Sequence, residues 1–360
     1  MKIKNNLKLL ILIFIFFIYY YFPTNNLIMN PLKISNNRTL VYMPKNMNDP
    51  IVLKEKNDLL EYVSKNVGKN ITECKSIFFG NKRRFGNQLM LLSKILFYSE
   101  ILGCKKIFLD EDNYWFVKHK IINRKMKYYI YPINQKYLKN TNTIIDNTMN
   151  FYFYKNYIVP IPKIYIIKNE ILRNIPKFNI NPNDLYIYIR SGDIFIKPHH
   201  NYSQPPFCFY QSILNMFKFK NIYIIAENKN NPIIDKLLIQ FPKINYKVND
   251  LKVDIAYLIY AYNIVAAYSS FLINIMRLND NLKCVFDYCH NINNARTLVE
   301  LTINSLNNSP DFKKMNKTII LIKMISSEIY KKKMKYWNNT KFQIDLMLND
   351  KCPNNFTIIK

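Results

Sequence analysis

Glycine is nearly absent from this chain of 360 residues: there are five, with four histidines and two tryptophans. Acidic residues are short too, 24 against 52 basic ones, and only eight of those 52 are arginine. Each scarcity excludes something. Few histidines, and cysteines without a second close pair to join Cys284 and Cys289, leave no complete zinc ligand set. The adjacent His199-His200 lacks the helical i, i+4 spacing of a metal pair. Hydrophobic residues make up 49% of the chain, which excludes a mostly disordered protein. The net charge of +28 is scattered lysine with no basic stripe on one element, so a nucleic-acid binder is not indicated. An acidic small-molecule donor or an anionic membrane surface fits the charge.

Long apolar runs are also lacking. Leu9 to Phe22 is the one candidate, preceded by Lys2, Lys4 and Lys8. It is shorter than the ~20 residues that cross a typical bilayer core. It ends Tyr-Tyr-Tyr-Phe-Pro without the small residues of a cleavage site, and aromatic ends suit a membrane interface. The expectation is an uncleaved signal-anchor in residues 1–24, a polar stem over 25–72, and a single-pass type II protein of the Golgi or endoplasmic reticulum, its main domain lumenal. Six cysteines then allow up to three disulfides. The sequons at Asn37, Asn70, Asn201, Asn316, Asn338 and Asn355 add weak support in an asparagine-rich chain.

From Ser76 onward, short apolar runs alternate with helical spacing. SIFFG, a loop NKRRFGN, the helix-patterned QLMLLSKILFYSEIL and the strand-like KKIFLDED form a βαβ unit. The second half repeats the pattern: DLYIYIR, the loop SGDIFIKPHHNYSQPP, the helix FCFYQSILNMFK, then NIYIIAEN, NNPIIDKLLIQFP, INYKV, VDIAYLIYAYN, IVAAYSS, FLINIMRLN and KCVFDYC. This predicts an α/β fold with parallel, doubly wound sheets. We divide it into an N-terminal Rossmann-like domain over 73–180, a C-terminal one over 181–300, and a helical extension over 301–360.

In such sheets ligands bind beyond the carboxyl ends of the strands, and the scarce residues gather there. Gly80, Arg83, Arg84 and Gly86 fall in the first loop, before a helix start whose free N–H groups attract anions. Arg190, Ser191, Gly192 and Asp193 follow a second strand, and Ser269-Ser270 precede a third helix. Arginine can grip phosphate with two donors. Three such loops point to a ligand carrying a diphosphate. Each residue also has a plainer use: a salt bridge for Arg190, helix caps for Asp193, Ser269 and Ser270, close packing for Gly86.

These stretches resemble a known superfamily. RRFGNQ is similar to a segment of protein O-fucosyltransferases and α-1,2-fucosyltransferases, YIRSGD to their H-x-R-R-x-D motif, and DIAYLIYAYNIVAAYSSF to their third motif. The resemblance spans roughly Ser76 to Asp287. It implies a GT-B fold of two Rossmann-type domains and an inverting, metal-independent transfer of fucose from GDP-fucose to a glycan or glycoprotein. It implies Arg190 and Asp193 as catalytic residues. It implies substrate contacts at Arg84, Phe85, Gly86, Asn87, Gln88, Tyr188, Ser191, Gly192, Asp254, Ser269 and Ser270. The family histidine is Tyr188 here and its second arginine is Ser191. Two rival readings follow: a metal-dependent GT-A enzyme using Asp110-Glu111-Asp112, or a glycan-binding relative without catalysis. Asp110, Asp112 and Glu227 are candidate bases.

Overall fold

The computed structural model describes residues 165–352 apart from 199–201 and 290–296, and the strand at 356–359. Earlier in the chain it describes Arg84, Cys104 and the elements between 76 and 146 given below. The expected anchor and stem, Gly80, Arg83, Glu111, Asp112 and His199-His200 lie outside these residues. Among the described residues no helix is long and apolar enough to cross a membrane.

The first sheet comprises β1 (Ser76–Phe79), β2 (Lys106–Asp110), β3 (Ile121–Asn123), β4 (Tyr128–Ile133) and β5 (Thr143–Asp146), in the order β3-β4-β2-β1-β5. Only the edge strand β3 runs antiparallel to its neighbour. Helix α1 (Phe85–Ile101) links β1 to the parallel β2. This is the βαβ unit expected from the spacing.

Helix α2 (Tyr165–Arg173) precedes a second sheet. Its strands are β6 (Leu185–Tyr188), β7 (Ile222–Ile225), β8 (Ile244–Tyr246), β9 (Asn263–Val265), β10 (Cys284–Cys289), β11 (Ile320–Ile325) and β12 (Phe356–Ile359). The order is β12-β11-β10-β9-β6-β7-β8, with β12 alone antiparallel. The chain therefore winds outward from β6 through β7 and β8, then returns to the other side of β6 and proceeds through β9, β10 and β11. That reversal is a topological switch point between β6 and β9.

Both faces of this sheet are covered, which explains why its strands read as unbroken apolar runs. Leu185, Ile187 and Ile189 join a buried cluster with Phe209 and Ile213 of α4 (Phe207–Met216) and Ile233 and Leu237 of α5 (Pro232–Gln240). Tyr186 and Tyr188 point the other way. They join a second cluster with Leu89, Leu92 and Leu96 of α1, Ile255 and Leu258 of α6 (Leu251–Tyr260), and Leu272 and Ile275 of α7 (Ser270–Leu278). Each such side chain contributes roughly 1.5–3 kcal/mol on full burial. The abundant tyrosine has a structural use here: Tyr223 stacks on Tyr186 at 5.0 Å and lies 5.9 Å from Tyr257, which stacks on Phe178 at 4.5 Å.

Three expectations need correction. Residues 301–360 are not a helical extension, because β11 and β12 complete the second sheet alongside α8 (Leu298–Asn307), α9 (Pro310–Lys314), α10 (Glu328–Met334) and α11 (Lys341–Asn349). Leu321, Ile322 and Met324 of β11 are buried between β10 and β12, which a terminal helix could not achieve. The SGDIFIKP loop contains a short helix, α3 (Asp193–Ile196). Phe85, Gly86 and Asn87 are already helical, so the first motif opens α1 instead of ending a loop. Of the cysteines, Cys208 of α4 is bonded to Cys352, Cys104 is disulfide-bonded as well, and Cys284 and Cys289 are free thiols.

Candidate functional site

Helices that follow parallel strands start at the carboxyl edge of the sheet, and three features of the second sheet meet there with one of the first. The chain leaves β6 at Ile189 and β9 at Ala266, on either side of the switch point. Arg190, Ser191, Gly192 and Asp193 follow the first strand; Tyr268, Ser269 and Ser270 follow the second. Asp254 sits in the first turn of α6 at the same edge. The start of α1 is brought against the start of α7 from the first sheet.

That last contact is close. Asn274 of α7 donates through Nδ2 to the carbonyl of Gly86 at 3.0 Å, and the Ser270 hydroxyl donates to Asn87 Oδ1 at 2.8 Å. A Cβ placed on Gly86 would lie 2.4 Å from the backbone of Phe271. Glycine is therefore needed at 86 so that two helix backbones can touch, and its missing side chain is filled by protein. Phe85 is buried with its ring 6.2 Å from Phe271, and Gln88 is buried in the first turn, its N–H donating to the carbonyl of Arg84.

The loop after β6 is fastened from below by asparagines of the loop after β7. The Ser191 hydroxyl donates to Asn228 Oδ1 at 2.7 Å, and the Gly192 N–H donates to the same oxygen at 3.1 Å. Asn231 donates from its backbone to Ser191 Oγ and from Nδ2 to the carbonyl of Arg190. Gly192 has φ +70, in the left-handed region, with Glu227 against the place a Cβ would occupy. These asparagines carry no signal in the sequence because they stand in an asparagine-rich background. Ser191 and Ser269 are buried and serve the fold: Ser269 caps α7, accepting from Phe271 N, and its hydroxyl lies 3.2 Å from the phenol of Tyr188.

What faces outward is a cluster of charge and aromatic rings. Arg190 donates through Nη2 to both oxygens of Asp193, at 2.8 and 3.1 Å. Asp193 also lies 3.1 Å from Arg84 Nη1, which in turn reaches Glu227 at 3.3 Å. A carboxylate thus stands between two guanidiniums, one from each sheet's connections. The Arg190 Nε–H is buried with no acceptor among the described residues. Its guanidinium lies over the Tyr202 ring at 5.3 Å, and Tyr202 meets Tyr268 at 5.8 Å. Burial pulls the Arg190 guanidinium down, but Tyr188 and Asp193 raise it by more, so it stays charged. Burial raises the phenol of Tyr188 despite Arg190 and Ser269. Burial also pushes the Asp254 carboxyl up to about 7, against the hydrogen bond from Asn249 and with help from Asp250.

Ion pairs and ring contacts thus link Arg84, Arg190, Asp193, Glu227, Tyr202 and Tyr268 at this edge; Asn87 and Ser270 bond each other beside them, and Asp254 is near enough to Tyr188 to raise its phenol. Phe85, Gly86, Gln88, Tyr188, Ser191 and Ser269 are turned into packing or internal hydrogen bonds. Asp110 ends β2.

No family model matches the chain, and no curated protein does. Among solved structures, the E. coli heptosyltransferase WaaC with ADP-2-deoxy-2-fluoro heptose is similar over 67% of this chain and 99% of that chain, at 10% sequence identity and a TM-score of 0.35.

Proposed function

We propose that the protein is a glycosyltransferase that binds a nucleotide-diphosphate sugar in the crevice between β6 and β9, with GDP-fucose as donor and a glycan or glycoprotein hydroxyl as acceptor. The observation that carries this reading is the switch point. The one place in the second sheet where neighbouring loops diverge holds Arg190, Arg84 and the starts of two helices, groups suited to a diphosphate.

The chemistry follows from those groups. The acceptor oxygen forms a bond to the anomeric carbon from the face opposite GDP. The bond from that carbon to the β-phosphate oxygen breaks, and its electron pair leaves with GDP. Charge grows on the diphosphate, so a fixed guanidinium acts most strongly in the transition state. Asp193 now occupies the space between Arg190 and Arg84 that an anion suits; the donor phosphate takes over this role, and Arg190 Nε–H supplies a donor with no acceptor among the described residues. The acceptor proton passes to a carboxylate. Glu227, half-exposed beside Gly192, is the described candidate at the crevice. Asp254 suits the donor's nucleoside, since a carboxyl that titrates near neutrality can accept from or donate to base edges.

Support for fucose over other sugars comes from the three motif resemblances. The test is release of GDP and transfer of sugar by the purified protein offered GDP-fucose, GDP-mannose and a UDP-sugar, each with and without EDTA. Turnover of GDP-fucose that survives EDTA is expected. Turnover of a UDP-sugar with Mn²⁺ alone would establish the metal-dependent alternative, and donor binding without release would make the protein a non-catalytic relative.

A further inference from the structure

Among the described residues, the surface built by α10, α11 and the turn between them combines exposed apolar side chains with lysine. It exposes large apolar side chains: Ile329 (65%), Tyr336 (57%) and Phe342 (53%). Ile329, Lys332, Lys333 and Tyr336 follow i, i+3, i+4, i+7 spacing along α10 and the residues after it, one outward stripe. Tyr330, Met334 and Trp337 are buried beneath, so the apolar stripe is surplus to the core. Lysine ammonium groups lie over the exposed rings, Lys333 Nζ at 5.1 Å from Phe342 and Lys335 Nζ at 5.2 Å from Tyr336.

Charge on this face is mostly positive, although Glu328 and Asp345 are exposed among the lysines. Lys332, Lys333, Lys335 and Lys341 are exposed, and none of them makes an ion pair among the described residues. Of the neighbouring acids, Glu328 is held by the buried Lys331 at 2.7 Å, Asp345 accepts from Asn349 Nδ2, and Asp350 is near enough to Lys333 to feel its charge. The surface continues onto α3, because Trp337 Nε1 donates to the carbonyl of Ile194 and Asn339 Nδ2 to that of Phe195. Ile196 (71% exposed) and Lys197 extend it there.

We propose that this face docks on an anionic lipid surface. Isoleucine, tyrosine and phenylalanine supply apolar bodies that enter the headgroup region, and exposed lysines on flexible stems supply attraction to acidic lipids. An acidic protein partner would need a groove or matching donors; this face offers rings and ammonium groups on a convex helix. Since α3 begins at Asp193, docking here sets the crevice beside the bilayer. The proposal stands on its own observations and does not depend on the glycosyltransferase reading.

Hydrogen exchange of the full chain, mixed with phosphatidylcholine vesicles or with vesicles that also contain phosphatidylserine, tests it. The readout is confined to residues 328–342, so membrane binding by the N-terminal apolar run does not enter it. Slower exchange over 328–342 is expected with phosphatidylserine only, and it should be lost in a chain carrying Lys332→Glu, Lys333→Glu and Lys335→Glu. Those side chains are exposed, so the melting temperature without vesicles should be unchanged. Equal exchange with both vesicle types, or protection that survives the triple reversal, would overturn the proposal. A glycan found on Asn338 would overturn it as well, because it would stand between this face and any bilayer.

Discussion

Two clusters of charge lie on the second sheet, and they have opposite characters. Around the switch point, Arg190, Arg84, Asp193 and Glu227 are linked in an open chain, with Arg84 and Glu227 more than half exposed. On β10 and β11, Lys323 is held by Glu300 at 2.8 Å, both nearly buried, and Asp287 stands opposite Lys323 in the strand register. Thr297 joins that second cluster, donating its hydroxyl to Asp287 at 2.5 Å while capping α8. Topology explains the difference. Where neighbouring strands are joined in sequence, the crossing helix seals the edge; where the winding reverses, the loops diverge and leave charge accessible. Similar residue types are thus structural at one end of a sheet and available to a ligand at the other.

Lys323→Ala should have the largest effect on stability, since it leaves Glu300 buried without its cation. We expect a loss of roughly 3–5 kcal/mol in denaturant titrations, and a loss under ~1 kcal/mol, the range of exposed pairs, would erase the distinction between the two clusters. Gly86→Val should cost about 1–3 kcal/mol through overpacking against the Phe271 backbone. A stable but inactive variant would move the role of Gly86 from packing to donor contact.

The pH dependence separates the two regions further. Burial raises Asp287 from 3.8 to about 6 and Asp254 from 3.8 to about 7. For both, the folded state holds its proton at pH values where the unfolded chain has released it, so stability should rise as pH falls from about 7 toward 4. Asp254→Asn should flatten the slope between about 6 and 7, where Asp287 is mostly ionised, and Asp287→Asn should roughly halve it below about 6, where both carboxyls contribute. Thermal melts across that range check both, and a slope of the opposite sign would contradict the buried-carboxyl assignment. The smallest effect is expected for Arg84→Ala, about 0–1 kcal/mol, because its two ion pairs are solvent-exposed.

Much of this organisation was legible in the sequence. Strand and helix alternation in the second half follows from period and length, and Arg190 and Ser269 fall at strand ends as the spacing requires. What was hidden is which partner a residue meets. A glycine that admits a ligand and one that admits another helix look the same until Phe271 is placed against Gly86. Ser191 resembles a substituted ligand contact, yet Asn228 and Asn231 claim its hydroxyl, and asparagines in an asparagine-rich chain carry no signal. The pairing of Cys208 with Cys352 across 144 residues and the antiparallel β12 are likewise products of tertiary packing.

The central claim is that the open cluster, and Arg190 within it, receives a nucleotide diphosphate. Calorimetric titration of GDP into wild type and Arg190→Ala tests it most directly. The loss of a charged hydrogen bond should weaken binding about 10- to 150-fold, while the unliganded variant, deprived of its bridge to Asp193, still melts cooperatively. Affinities within about threefold of each other, less than 1 kcal/mol apart, would mean that Arg190 serves only its bridge to Asp193.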